Sequence, residues 1–503
     1  MVSLALTVGA CGYAAYEDAG YDGYGGYDED PGDGAGGADG ADGADDGGQA
    51  MPIPPPPPPD EDFEPPEPTE CNDADRVTLF LSPDDSNSMS SPVQVREAVF
   101  NGFSSLASIP IRTWEFMNYY GFDYPAAEAG GVRVIPSLMV PKGAEDGEYT
   151  LQIAVSSEQV TPADRAPMNV TLVLDTSGSM QGHPMRMLQA TGRAIAGSLD
   201  EGDIISIVTW DTENQEILAG HAVQGPDDPT LLAAIDALEA GGGTDLHGGL
   251  VAGYDLALQS YNRERINRIV LVSDGGANAG ITDIDLIASH ADGQDSDGLY
   301  MVGVGVGDGS SYKDDLMDTV TDAGRGASVF INSEAEAQHI FGERFISTLD
   351  VAVRDVSVSL EMPPGFSVVR FSGEEISADP DQVEPQHLAP NDAMIFHQEI
   401  ETCAPEQVDD QTAFEVVVHY LDGTTFEPSQ IRTQVTFGDL LSADDPLLLK
   451  GAAVFAYAEA LDDRQQSASA SLEPAFAALE QAEAANDGDP DLAEIRLILE
   501  TLQ

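Results

Sequence analysis

Residues 166–350 alternate between short apolar runs and longer amphipathic runs, and this alternation restricts the possible folds more than any other feature of the chain. The apolar runs have the length of buried strands, and the segments between them have helical periodicity. The strand-like runs are MNVTLVLD, DIISIVTWD, RINRIVLVSDG, LYMVGVGVG and SVFIN. Strands that alternate with helices form a parallel sheet covered by helices on both faces. The sequence therefore predicts an α/β, Rossmann-like domain whose ligands bind beyond the carboxyl ends of its strands.

Different patterns flank the α/β region on both sides. After Asp350, segments such as VRDVSVSLEM and AFEVVVHYL alternate apolar and polar residues at period two, which predicts a sandwich-like β domain over 351–440. Two strands predicted at 132–160 are candidates for the same sandwich, which would make the α/β domain an insertion between its two halves. Residues 441–503 are rich in alanine and predict a helical C-terminal region.

The first 75 residues differ in composition from the rest of the chain. MVSLALTVGAC is a short apolar run that resembles the end of a bacterial lipoprotein signal, in which small residues precede a lipidated cysteine. This resemblance implies that residues 1–11 are a signal and that Cys11 is lipidated. Because no Lys or Arg precedes Arg76 and the apolar run is short, the signal would be truncated. An ordinary disordered N-terminus is the alternative.

Residues 12–75 are expected to form a tether. Gly, Asp and Tyr dominate the first part of this segment, and a proline run and acidic residues follow. Such a composition predicts a flexible coil followed by a stiff polyproline II spacer. No other segment approaches the roughly 20 apolar residues of a membrane helix. We therefore expect a protein of the cell envelope that is held at a membrane by its lipid anchor alone.

The charge of the chain excludes one class of partner. It carries 89 acidic and 20 basic residues, for a formal net charge of -69. Nucleic-acid binding requires a surplus of Lys and Arg to neutralise phosphates, so nucleic acid is excluded as a partner. Cations, in contrast, are natural ligands of such a surface.

The cysteines allow one disulfide if Cys11 is lipidated. Export would place Cys71 and Cys403 in an oxidising compartment, where they could pair and join distant segments. Two unpaired thiols are the alternative. No Cys or His spacing resembles that of a zinc site.

Oxygen-bearing side chains cluster at the predicted strand ends. In LVLDTSGSM, a buried strand ends at Asp175, and Ser177 and Ser179 follow at alternate positions. Residues at i, i+2 and i+4 of an extended segment point the same way, so these three oxygens face one point. Thr244 lies in the glycine-rich loop GGGTDLHGGL, and Asp274 ends the strand IVLVSD. All five residues are expected at one edge of the sheet.

This set of ligands is that of a hard cation. Two carboxylates and three hydroxyls, without Cys or His, suit Mg²⁺, with Mn²⁺ or Ca²⁺ as alternatives. Because only Asp175 and Asp274 are anionic, the cation would attract a carboxylate from outside the chain into an open coordination position. The sequence therefore predicts cation-dependent binding of a protein partner.

The motifs DTSGSM, GGGT and VLVSDG, in this order, resemble the metal-ion-dependent adhesion site of von Willebrand factor type A (VWA) domains. The resemblance covers roughly residues 166–350 and makes residues 76–165 a VWA-associated region. It implies that Asp274 acts directly or through water and that the direct metal ligands are Asp175, Ser177, Ser179 and Thr244. The helix ending NYYGFDYP, the β segments and the helical tail are similar to bacterial VWA lipoproteins of the YfbK type. The implied function is adhesion.

Two other functions are alternatives to adhesion. A VWA domain can also act as a scaffold or assembly factor in a larger complex, and a cytoplasmic location would favour that role. A magnesium-dependent phosphatase of the haloacid-dehalogenase type needs a second acid where Ser177 stands. It also needs a lysine, and none lies between Asp175 and Lys313. We therefore predict that the chain is not an enzyme.

Overall fold

The structure is a computed structural model that describes residues 75–83, 88–102, 106–275, 298–307, 312, 314–441 and 445–503. The predicted signal with Cys11, the tether up to residue 74 and Cys71 lie outside the described residues. Cys403 is disulfide-bonded, but the two other cysteines are both outside this part of the chain, so the Cys71–Cys403 pair stays a prediction. Among the described residues, no helix is both long enough and apolar enough to span a membrane.

The strands and helices are numbered here in chain order. The strands are β1 Val77–Ser82, β2 Arg133–Met139, β3 Glu148–Ser156, β4 Met168–Asp175, β5 Ile204–Trp210, β6 Asn214–Ala222, β7 Ile266–Ser273, β8 Leu299–Val306, β9 Ser328–Ile331, β10 Val353–Met362, β11 Phe366–Phe371, β12 Glu375–Ser377, β13 Gln386–Leu388, β14 Ala393–Thr402, β15 Ala413–Asp422 and β16 Pro428–Thr436. The α-helices are α1 Ser90–Phe100, α2 Thr113–Tyr119, α3 His183–Ser198, α4 Pro229–Asp236, α5 Leu246–Gln259, α6 Asp314–Ala323, α7 Glu334–Gln338, α8 Phe345–Leu349, α9 Phe437–Leu440, α10 Pro446–Gln466, α11 Glu473–Ala485 and α12 Pro490–Leu502.

The predicted α/β sheet is present, with the strand order β6-β5-β4-β7-β8-β9. Strands β5, β4, β7, β8 and β9 are parallel, as the alternation of strands and helices predicted. Strand β6 was not predicted: it pairs antiparallel with β5 at the edge, which makes the sheet mixed. Most of its side chains are exposed, so it lacks the continuous apolar run that marks the central strands.

Helices cover both faces of this sheet, as predicted. On one face, Leu250 and Tyr254 of α5 share a buried core with Val173 of β4. On the other face, Leu188 of α3 packs in a core that contains Leu172, the neighbour of Val173 in β4. Successive residues of a strand point to opposite faces, so both faces of β4 are covered, and all of its residues, including the polar Asn169 and Thr171, are buried. The site at the end of β4 thus rests on a strand held from both sides.

The β-rich segments before and after the α/β region form one sandwich. One sheet has the order β12-β1-β10-β15-β16, with β13 beside β10, and the other has the order β11-β14-β3-β2. Strand β3 pairs with β14 over its whole length, and β1 pairs with β10. The strands at 132–160 therefore belong to the sandwich, and the α/β region is inserted between its halves.

The remaining helices are packed against the α/β region. Phe116 of α2 meets Tyr457 of α10 edge to face, with ring centroids 5.5 Å apart. Met89, just before α1, donates its backbone N–H to the Ser328 carbonyl of β9 at 2.8 Å. A continuous buried core joins α1, α2 and α10–α12 to the sheet. The helical C-terminal region predicted at 441–503 therefore contributes to the core that supports the sheet.

Candidate metal centre

Asp175 is the last residue of β4, in the centre of the sheet. The parallel register places it opposite Trp210 of β5. On the other side, Leu174 lies opposite Val272 of β7, so the next residue, Ser273, is the neighbour of Asp175. Because both neighbouring strands also end here, the ends of three strands lie side by side at the carboxyl edge of the sheet, with the polar side chains of Asp175 and Ser273 next to each other.

The Asp175 carboxylate is fully buried. Its Oδ1 accepts the backbone N–H of Ser177 at 2.8 Å, and its Oδ2 accepts the Ser273 hydroxyl at 2.7 Å. Burial raises the pKa of Asp175 to about 7, and the neighbouring Asp274 adds to this rise, although the hydrogen bonds from Ser177 and Ser273 oppose it. The charged form of Asp175 is therefore poorly stabilised by the protein alone, and a bound cation would stabilise it.

Ser177 and Ser179 follow in the loop after β4. Their hydroxyl oxygens lie 3.0 Å apart, on either side of Gly178, where a 3₁₀ turn begins. Ser177 is buried and Ser179 is exposed, so the pair runs from the sheet edge towards solvent. The structure thus brings three of the predicted ligands, including Asp175, together in one loop.

The glycine-rich loop that contains Thr244 lies against this first loop. Gly178 donates its N–H to the Gly242 carbonyl at 3.2 Å, and Gly241 donates to the Thr176 carbonyl at 2.7 Å. Gly242 has a φ of +85°, and an added Cβ would come 2.9 Å from the Asp211 side chain, so this close approach requires glycine. Thr244 is buried, and its hydroxyl forms no hydrogen bond with another described residue, which leaves this oxygen available to a ligand.

Asp274 completes the predicted set from the end of β7. It directly follows Ser273 and is half-buried, and its charge is felt by the Asp175 carboxylate. All five predicted residues therefore lie at the same edge of the sheet. Contacts join Asp175, Ser177 and Ser179 directly, whereas Thr244 is brought close by backbone hydrogen bonds of its loop.

The donor set fits a hard divalent cation. Among the described residues, no group of three or more His, Cys, Asp or Glu side chains is placed to hold a metal ion. The predicted site is of another type, since three of its five ligands are hydroxyls. A buried carboxylate with a raised pKa, two adjacent hydroxyls and an unused Thr244 hydroxyl are oxygen donors of the kind that Mg²⁺, Mn²⁺ or Ca²⁺ binds.

Two supporting residues were missed in the sequence. Ser273 orients the Asp175 carboxylate, and its own oxygen accepts the Gly275 N–H at 3.1 Å. Asp211 holds the glycine-rich loop, because its carbonyl accepts the Asp245 N–H at 2.9 Å. Asp245, in turn, caps the start of α5. In the sequence, Ser273 stands out only because it precedes Asp274 at the end of a strand. Its contact with Asp175 depends on the register between β4 and β7.

Comparison with known proteins identifies the type of domain. Residues 170–277, which include all five predicted ligands, match the family model of the von Willebrand factor type A domain. The chain therefore carries a domain of this type, as the motifs indicated. Such domains are generally non-enzymatic modules of protein–protein interaction, adhesion and complex assembly.

The chain is similar to two curated bacterial proteins, each described as uncharacterized. It is 27% identical over 264 residues to YfbK of Escherichia coli (strain K12), which covers 51% of this chain and 45% of YfbK. It is 28% identical over 233 residues to sll0103 of Synechocystis sp., which covers 44% of this chain and 51% of that protein. The chain thus spans about half the length of these relatives, and the predicted similarity to the YfbK type is confirmed.

A solved structure also resembles the chain. It is described as von Willebrand factor type A from Catenulispora acidiphila. The match covers 76% of this chain and 91% of that chain, at 14% identity and a TM-score of 0.46.

Proposed function

We propose that the von Willebrand factor type A domain of this chain captures a protein partner through a divalent cation, with Mg²⁺ as the cation and Mn²⁺ or Ca²⁺ as alternatives. The observation that carries the proposal is the fully buried Asp175 carboxylate at the carboxyl edge of the sheet. Its pKa is raised to about 7, mainly by burial. The proposed ligands are Asp175, Ser177, Ser179, Thr244 and Asp274.

In this proposal the residues of the chain have distinct roles. Asp175 supplies negative charge, and Ser177 N–H and the Ser273 hydroxyl hold its carboxylate in place. Ser177, Ser179 and Thr244 supply neutral oxygens, so they add no charge that would repel an acidic partner. The cation would supply the positive charge that attracts a carboxylate of the partner protein.

We also propose that the chain works at the cell envelope, anchored through Cys11. The support is the lipoprotein-like sequence that ends at this cysteine and the acidic, proline-rich segment that follows it. A tagged full-length chain is expected in the membrane fraction, and a Cys11→Ser chain in the soluble fraction. A wild-type chain found in the cytoplasm would instead favour the role of an assembly factor.

Partner capture is expected to depend on both the cation and Asp175. In a pull-down from envelope extract, wild-type chain with Mg²⁺ should retain a partner, whereas EDTA or Asp175→Ala should abolish the retention. Asp236→Ala is a matched control, because Asp236 is an exposed aspartate of α4 that pairs with Arg193. This control should bind like wild type. Capture that survives both EDTA and Asp175→Ala would contradict the proposal.

Mg²⁺ binding is expected to weaken as the pH falls below 7. The pKa of Asp175 is raised to about 7, chiefly by burial, so protons compete with the cation for this carboxylate. Between about pH 7 and about pH 5, the affinity should fall roughly tenfold per pH unit. Isothermal titration of the full chain with MgCl₂ measures this dependence. An affinity that is the same at both ends of this range would exclude Asp175 as a ligand.

A further inference from the structure

A polar cavity lies at the opposite end of the sheet from the candidate metal centre. Its volume is about 620 Å³, and it is lined by the beginnings of β7, β8 and β10 and by the hairpin loop between β15 and β16. It therefore separates the amino-terminal edge of the α/β sheet from the sandwich. Several arginines line it, although the chain as a whole carries a net charge of -69.

Arg268 of β7 is the buried arginine of this cavity. It is only 3% exposed, and Nη1 donates to its neighbour's carbonyl, that of Asn267, at 2.7 Å. A guanidinium has five N–H donors, and no other hydrogen bond or ion pair to a described residue uses them. Burial, together with the nearby charge of Arg354, lowers the pKa of Arg268 to about 10. A buried charge is normally paired, but no described carboxylate lies within ion-pair distance of Arg268, and Asp350 acts on it only from farther away.

Arg354 of β10 brings a second guanidinium to the same place. Its Cζ lies 4.8 Å from the Tyr300 ring centroid, and Cζ of Arg268 lies 5.0 Å from the same centroid. Arg354 donates to the Gly423 carbonyl at 2.8 Å and to the Tyr300 hydroxyl, which are both neutral groups. Two like charges beside one aromatic ring repel each other, and an anion within reach of both would reduce this repulsion.

The backbone around Arg354 is built to hold it in this position. Asp355, in a bulge of β10, has a φ of +48°, and Phe426, in the hairpin loop, has a φ of +60°. Such conformations are unfavourable for these residues, and they persist where the surrounding structure imposes them. Phe426 covers Arg354, with its ring centroid 4.5 Å from Cζ, yet it stays 38% exposed. The bulge and the loop thus fix Arg354 at the cavity.

Carboxylates near the cavity do not neutralise these two arginines by contact. Asp350 and Asp422 interact with them electrostatically, and neither is within ion-pair distance. Asp350 accepts the Val351 N–H, and Asp422 accepts N–H groups of its own loop. Arg165, which also lines the cavity, is paired with Asp203 at 2.6 Å. Arg268 and Arg354 are therefore two guanidiniums that meet at Tyr300 without a carboxylate in contact with either of them.

We propose that this cavity binds an oxyanion, a carboxylate or a phosphate group, between the guanidiniums of Arg268 and Arg354. The planar donor fork of arginine matches the two oxygens of such a group. The bound anion would join the α/β domain, through β7, to the sandwich, through β10. This site is independent of the proposed metal site, because the two lie at opposite edges of the sheet.

The test uses the full chain in EDTA, so that no cation at Asp175 can bind the added anion. Thermal unfolding and isothermal titration are measured with inorganic phosphate, with acetate and with chloride at equal ionic strength. The variants are Arg268→Leu, Arg354→Gln and Arg193→Gln. The last is the control, because it also removes one positive charge but lies on the exposed face of α3, paired with Asp236.

Phosphate or acetate should raise the melting temperature of the wild type and of Arg193→Gln equally. Arg354→Gln should bind the oxyanion on the order of tenfold more weakly, and Arg268→Leu should not respond. If Arg268→Leu does not fold, the response of Arg354→Gln alone tests the proposal. This variant should fold, since Arg354 is only half-buried. A response to phosphate alone or to acetate alone identifies the source of the oxyanion. Equal responses of all four chains, or a chloride effect as large as that of the oxyanions, would overturn the proposal.

Discussion

In EDTA at about pH 8, we expect the Asp175→Asn chain to be more stable than the wild type, by roughly 2–4 kcal/mol in the free energy of unfolding. The pKa of Asp175 is raised to about 7, first of all by burial, whereas an unfolded chain has a pKa near 3.9. The folded chain therefore holds this proton more tightly than the unfolded chain does. The stabilisation that this bound proton contributes is fully present below about pH 4 and is lost as the pH rises through 7. Asparagine has nearly the same shape and carries no charge.

Saturating Mg²⁺ should reverse this order. The cation stabilises only the folded chain that binds it, so the wild type gains stability and Asp175→Asn does not. Urea unfolding with EDTA and with Mg²⁺, at about pH 8 and at about pH 5, measures both effects; the difference in EDTA should shrink at the lower pH. A less stable Asp175→Asn chain in EDTA would show that the hydrogen bonds to Asp175 outweigh its burial.

Asp228 offers a matched control for the same substitution. It is also buried, but its carboxylate accepts N–H groups of Gln224, Thr230 and Leu231 and contacts His221. Burial raises its pKa, but these hydrogen bonds outweigh burial and hold the pKa at about 2. Its stabilising contribution is present above about pH 4 and is lost towards pH 2. Asp228→Asn should therefore lose stability at neutral pH, with or without Mg²⁺.

The central part of the fold could be predicted because burial on both faces leaves a strong mark in the sequence. Strand β4 has no exposed residue, so apolar residues dominate it, interrupted before Asp175 by Asn169 and Thr171 alone. Strand β6 is mostly exposed, and its residues carry no such mark. The composition of the sandwich depended on long-range pairing, such as that of Val77 with Met362. Local periodicity predicts where strands occur, but it does not identify which strands pair with each other.

The candidate site was predictable for a related reason. Asp175, Ser177 and Ser179 lie so close in sequence that an extended backbone alone brings their side chains together. The carboxyl ends of the strands of a parallel sheet share one edge. This rule also predicted that Asp274 and the loop with Thr244 lie at the same edge as Asp175. Ser273 and Asp211 act through strand register and loop-to-loop hydrogen bonds. Those contacts follow from the tertiary structure, and no local pattern indicates them.

We expect Gly253→Ala to destabilise the chain by about 1–3 kcal/mol and to weaken Mg²⁺ binding. In an ordinary helix this change would add up to about 1 kcal/mol of stability. Here an added Cβ would lie 2.3 Å from Cγ2 of Val173, a fully buried residue of β4. Gly249, one turn earlier on the same face, would meet the Trp210 ring at 2.5 Å. Helix α5 therefore lies so close to the sheet that steric overlap outweighs helix propensity.

The steric overlap at Gly253 should disturb the metal site, because β4, which contains Val173, and α5, which contains Gly253, both position residues of that site. Val173 precedes Asp175 by two residues, and α5 begins two residues after Thr244. Moving either element changes the distance between Asp175 and Thr244. Gly197→Ala is the matched control, because an added Cβ on this exposed helical glycine of α3 would make only one ordinary contact, at 3.6 Å. Urea unfolding and Mg²⁺ titration of both variants separate the effects: if Gly253→Ala behaves like Gly197→Ala in both, close packing of α5 does not set the geometry of the site.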